Sequence, residues 1–132
     1  RSGAQATGYR SGAQATGYSS GAQATGYSSG AQATGYSSGA QATGYSSIAT
    51  TNGWHSSSSV DGVNAVAMVT GNNSKAKGTI GSWLVIAEWA QDENHEWNII
   101  GMKTAKVDGE AIKADVWYML ENGEFIEAEG RQ

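Results

Sequence analysis

The chain has 132 residues, with 19 Gly, no Pro, no Cys, 15% charged residues and a formal net charge of −4. These figures allow one ordinary domain and exclude a disulfide scaffold or a Cys-ligated metal site. They speak against a helical bundle, which would be rich in Ala, Glu, Lys, Leu and Arg, and against a nucleic-acid binder, which would show a basic face.

The chain opens at Arg1 with neither an initiator Met nor a recognisable signal, and Arg1 is expected to begin a trimmed or engineered fragment. From there a nonapeptide, Ser-Gly-Ala-Gln-Ala-Thr-Gly-Tyr-Ser (or Arg), recurs with Gly-Tyr pairs at Gly8-Tyr9, Gly17-Tyr18, Gly26-Tyr27, Gly35-Tyr36 and Gly44-Tyr45. The frame continues in degraded form through Gly53-Trp54, Gly62-Val63 and Gly71-Asn72, so the array spans 1–79. Each unit suits a short strand followed by a tight turn. Alternation places Ser, Ala and Ala on one face and Gly, Gln and Thr on the other, and the second Gly supplies a turn with positive φ.

One unit is too short to enclose a core. The expected architecture is all-β: a parallel β-solenoid with about two repeats per coil, or with faces shared among three chains in a trimeric prism. Its interior would be thin, Ala and Ser, and stabilised by close sheet approach, complete backbone ladders and repetition. The larger residues Ile48, Val60, Val66, Met68 and Val69 are expected to widen it toward the C-terminal side.

The second segment, 80–132, carries eleven acids and four bases, whereas 1–79 carries one acid, Asp61, and four bases, Arg1, Arg10, Lys75 and Lys77. Strands are expected at Trp83 to Trp89, Trp97 to Val107 (bulged near Gly101), Val116 to Leu120 and Glu124 to Ala128. Asp108-Gly109 and Asn122-Gly123 are hairpin signals. The reading is an antiparallel β meander that caps the solenoid, with Trp and Ile supplying the core the repeats lack. The first coil has no equivalent cap, and charge at Arg1 and Arg10 would discourage edge-to-edge pairing there.

The tandem units, with small residues at alternate places and Gly at the turn, resemble the β-solenoid repeats of bacterial surface adhesin heads and phage tail-fibre proteins, the trimeric autotransporter adhesin heads being the nearest named family. The segment from Gly81-Ser82-Trp83 through Trp117-Tyr118-Met119-Leu120 is similar to the C-terminal domains of repeat proteins from gut bacteria and their phages. The resemblance implies an extracellular, cell-surface or virion location for a natural protein. The near-identity of the first five units points instead to an idealised, engineered array set on a natural cap.

No catalytic constellation is legible. His55 falls on the Arg/Ser phase of the repeat, and Ser56 to Ser59 has no oriented base beside it. Asp92-Glu93-Asn94-His95-Glu96 has no specific metal-ligand spacing and reads as a solvated loop. Calcium-binding nonapeptides need an Asp in every unit, and Asp61 stands alone in the array. No cofactor, metal, nucleic acid or membrane insertion is expected. The residues open to a ligand are the rows Tyr9, Tyr18, Tyr27, Tyr36 and Tyr45, and Thr7, Thr16, Thr25, Thr34 and Thr43. The Tyr row is read first as packing. The function expected is a non-enzymatic fibre, spacer or scaffold, the alternatives being an adhesin module binding glycan or an ice-binding face of Thr and Gln. Self-association is the expected partnership, as a homotrimer or end to end through the first coil.

Overall fold

The computed structural model describes residues 3–9, 12–17 and 21–128. The five copies of Gly-Ala-Gln-Ala-Thr form β1 (Gly3–Thr7), β2 (Gly12–Thr16), β3 (Gly21–Thr25), β4 (Gly30–Thr34) and β5 (Gly39–Thr43). The degraded units supply β6 (Ile48–Thr51), β7 (Ser57–Asp61), β8 (Val66–Val69) and β9 (Lys75–Lys77). Alternate units go to opposite sheets, so β1, β3, β5, β7 and β9 line up on one side and β2, β4, β6 and β8 on the other. Pairing is parallel and in register at a shift of eighteen residues: Gln5 faces Gln23, Gln23 faces Gln41, Gln14 faces Gln32. The chain is therefore a β-solenoid with two nonapeptides per coil, closed within one polypeptide.

The backbone ladder continues round the corners. The amide of Gly8 donates to the carbonyl of Thr25, and the amide of Ser28 to that of Tyr45, each at 2.9 Å. A Pro at such positions would break the ladder, which accounts for its absence from the array. Each corner needs unusual backbone. Gly26, Gly35 and Gly44 have φ of 130° to 136°, and the residue two places after the corner glycine is left-handed among the described residues: Ser28, Ser37, Ser46, His55, Asn64 and Asn73 lie between 58° and 63°. Asn tolerates this region best among non-glycines, and two of the three non-Ser occupants among the described residues are Asn.

Inside, the Ala pairs of each unit meet across the two sheets. Ala24, Ala33, Ala42 and Ala49 are fully buried, so the core between the early coils is one methyl group deep on each side. It widens toward the C-terminal side where Val60 and Val69 replace Ala, as expected from the sequence. Ile48, Val66 and Met68 do not contribute. They occupy the Gly and Gln phases, which point outward, and Ile48 is exposed.

Among the described residues, the inward Ser of the repeat, at Ser29, Ser38, Ser47, Ser56 and Ser74, is a hydrogen-bonding residue rather than a small filler. Ser56 Oγ accepts from the Ser38 amide at 3.1 Å and donates to the Gly35 carbonyl at 3.3 Å. Ser29, Ser38, Ser47 and Ser74 repeat the bond to a glycine carbonyl of an adjoining coil. Replacing Ser56 with Ala strands a buried amide, and the expected cost is about 1–3 kcal/mol in chemical denaturation. A change within error would show that the stitch is passive.

The four C-terminal strands form close to the expected places: β10 (Trp83–Gln91), β11 (Trp97–Lys106), β12 (Tyr118–Glu121) and β13 (Glu124–Glu127). They are not one meander. They are two hairpins, each extending a different sheet of the solenoid: β10 pairs parallel with β8 and antiparallel with β11, while β12 pairs antiparallel with β9 and β13. Asn122-Gly123 makes the second hairpin turn, with φ of 55° and 78°. Asp108-Gly109 does not join strands of one sheet. It lies in the crossing segment between the sheets, where Asp108 Oδ1 accepts from the amides of Glu110 (2.9 Å) and Ile112 (3.2 Å), bonds that hold its carboxyl below the usual range. The bulge near Gly101 is present: Glu88 pairs with Gly101 and Trp89 with Ile99, leaving Ile100 as the extra residue.

Leu84, Ile86, Val107, Ile112, Tyr118 and Leu120 close the end of the core. The two hairpins are latched together from outside. Glu88 on β10 accepts from the amides of Asn122 (2.6 Å) and Gly123 (3.0 Å), and Lys103 on β11 donates to the Gly123 carbonyl at 2.9 Å.

Candidate functional site

An eighteen-residue coil sends odd and even repeats to opposite sides, which divides every row read from the sequence. Tyr9, Tyr27 and Tyr45 form one stacked column, with centroids 5.1 and 5.3 Å apart and planes within 11°. Tyr36 stands at the other corner, beside His55 at 5.2 Å, and Tyr18 lies outside the described residues. The Thr row divides in the same way: Thr7, Thr25 and Thr43 on one sheet, Thr16 and Thr34 on the other. The Gln side chains beside them bond to one another along each column, Gln5 to Gln23, Gln23 to Gln41 and Gln14 to Gln32, each at 3.4 Å. Stacked rings and self-bonded amides describe faces that satisfy themselves.

A concave site does occur, and the sequence reading missed it. It lies where the repeat coils meet the two C-terminal hairpins, a cleft of about 440 Å³. It forms where the repeat departs from consensus: the corner that reads Tyr36-Ser37 in one coil reads Trp54-His55 in the next and Asn72-Asn73 in the one after. The aromatic column ends at Trp54. Two indoles from the β10–β11 hairpin stand edge-to-face against it, Trp89 at 5.7 Å and Trp97 at 5.8 Å. Trp89 is pinned through its ring N–H to the Thr70 carbonyl at 2.9 Å. On the rim, the Asn73 amide nitrogen lies 3.1 Å from His55 Nδ1. Glu88 and Glu121 add the carboxylates of the lining, which among the described residues includes no Lys or Arg. The legible signal was the loss of the aromatic at position 72 just after a Tyr-to-Trp change at 54.

The other chemistry-bearing segments are structural. Asp92 Oδ1 accepts from the amides of Glu96 (3.0 Å) and Asn94 (2.8 Å), and Oδ2 from the Asn98 side chain (3.0 Å). The bond from Glu96 contributes most to lowering its pKa. These contacts shape the loop between β10 and β11. Lys75 and Lys77 both place their ammonium groups 4.8 Å from the centre of the Trp117 ring.

Comparison of the chain with protein-family models, curated proteins and solved structures finds no match.

Proposed function

We propose that this is a non-enzymatic structural element, a stiff spacer or fibre segment built by stacking identical coils and closed at one end by the latched hairpins. The observation that supports the reading most strongly is the uninterrupted register. Backbone amides, Ser hydroxyls, Gln amides and Tyr rings each repeat at the eighteen-residue shift, so each consensus coil added reproduces the contacts of the last. A natural version would work outside the cell, at a cell surface or on a virion, and assembly into longer fibres, end to end or as a homotrimer, belongs to the same reading.

Insertion of further eighteen-residue units tests it. Small-angle scattering should show the longest dimension growing linearly, by about 4.8 Å per unit, with the thermal midpoint held or raised. Growth that flattens with added units would mark a flexible chain and overturn the spacer.

A further inference from the structure

We infer that the outer face of the six-stranded sheet is a dimer interface, on which a second copy of this chain packs with its strands running the same way and its solenoid axis reversed. This goes beyond the spacer reading and does not depend on it. Alternation turns one set of side chains outward on this sheet, and two columns of register partners cross it. One reads Gly12, Gly30, Ile48, Val66, Trp83, and the other Gln14, Gln32, Thr50, Met68, Val85. Both change from glycine or amide to large apolar side chains. Ile48 is 47% exposed and Trp83 38%, and Met102 of β11, on the same face, is 52% exposed. The fold does not demand this. The other sheet has the same coil geometry, yet β7 turns Ser57 and Ser59 outward and β9 turns Lys75 and Lys77 outward. Val66-Ala67-Met68 in β8 thus stands where the next repeat has Lys75-Ala76-Lys77.

The partner is a second copy because the face complements itself. Where the first column lacks side chains it leaves a furrow of about 390 Å³ over Gly12 and Gly30, ending at Ile48. Farther along the same column Val66 and Trp83 stand as a ridge. A two-fold axis lying in the face, parallel to the strands and between β6 and β8, reverses the strand order. It sets Ile48 of each copy against Val66 of the other and lowers Trp83 into the other copy's furrow at Gly30. Charge agrees with this pairing. Among the described residues, Lys106 is the one charged side chain at the outward strand positions of this sheet, and cores of homodimer interfaces are depleted of charge. The same axis keeps the two Lys106 side chains at opposite ends of the interface. The face spans about 24 Å across its six strands and about 17 Å along them. That is close to half the area of a standard interface, about 800 Å² per partner, so the dimer is a reversible one.

Sedimentation equilibrium of the whole chain, up to about 1 mM, tests the proposal. Association should stop at two copies, with a dissociation constant between about 10 μM and 1 mM. A Val66→Lys, Met68→Lys double variant gives β8 the side chains that β9 already carries, so it should keep the fold and weaken the dimer about tenfold or more. Gly30→Ile fills the furrow with the residue found one coil on and should weaken the dimer to a similar extent, which gives a second readout from an independent position. A Ser57→Lys, Ser59→Lys double variant on the other sheet should dimerise like the parent. The proposal is overturned if the chain is still monomeric at about 1 mM, if assembly continues past the dimer, or if Gly30→Ile or a folded Val66→Lys, Met68→Lys variant dimerises like the parent. It is equally overturned if the two serine substitutions weaken the dimer as much as the changes in β8.

Discussion

Replacing Gly35 with alanine should unfold the coil it belongs to, at a cost of about 3 kcal/mol or more, while replacing Gly30 in the same repeat should be neutral or stabilising by up to about 1 kcal/mol. The two glycines look equivalent in the sequence and are opposite in the structure. Gly35 has φ of 130°, and a Cβ there would land on the carbonyl of Gly17 in the adjacent coil. That carbonyl is backbone and is held between coils by hydrogen bonds, including one from Ser38 Oγ, so it cannot step aside. Gly30 has ordinary strand geometry, and its nearest obstacle is the Ile48 carbonyl at 3.9 Å. The position one coil on is already Ile48, direct proof that the face accepts a side chain. Denaturant titration of the two variants decides the matter, and equal effects would mean that the corner stack of glycines is not what sets coil spacing.

The second large effect should come from Leu84→Ala, with an expected loss of about 2–5 kcal/mol. Leu84 is among the largest fully buried side chains of the protein. Most of the core before it is Ala, and burying a methyl group contributes a small fraction of what a Leu side chain contributes. The C-terminal segment is therefore where the large buried side chains are concentrated, among them Leu84, Ile86 and Val107. Hydrogen exchange should show protection lost first from β10 and β12 and then from the coils next to them. A loss under about 1 kcal/mol, or exchange that begins evenly along the array, would place the anchor elsewhere.

These two variants mark the boundary of what was legible. The nine-residue period, the strand in each unit, the inward Ala pairs, the turn glycine, the Asn122-Gly123 hairpin and the bulge near Gly101 were all readable, because each rests on a local rule of alternation or backbone freedom. The faces on which Ile48, Val66 and Met68 would lie were misread, because hydrophobicity was given more weight than their phase in the repeat. Asp108-Gly109 was misread for a related reason. A turn dipeptide reports a local bend, and whether the flanking strands share a sheet is a tertiary matter. The single meander failed on the same ground: a two-sheet solenoid offers two edges to be closed, and each attracts its own hairpin.

The site was the least legible part. The rows of Tyr and Thr stood out because repetition is conspicuous, yet two repeats per coil divided them between opposite sides. The cleft is built from residues that break the pattern, Trp54, His55, Asn72 and Asn73, and from indoles brought there by the β10–β11 hairpin that extends one sheet. Side chains such as Trp97 and Trp54, forty-three positions apart, meet through the coil geometry and not through spacing along the chain.

The central claim is that one chain closes each coil with two repeats. The absence of native Cys makes it directly measurable with engineered pairs. Oxidation of a Gln23→Cys, Gln41→Cys double variant should give a disulfide within a single chain, since these positions are adjacent strand partners. A Gln23→Cys, Gln32→Cys variant should stay reduced under the same conditions, because the two side chains point outward from opposite sheets. An intrachain bridge for the first pair and free thiols for the second, read by mass under non-reducing conditions, is the predicted result. A bridge between 23 and 32, or products linked only between chains, would contradict it.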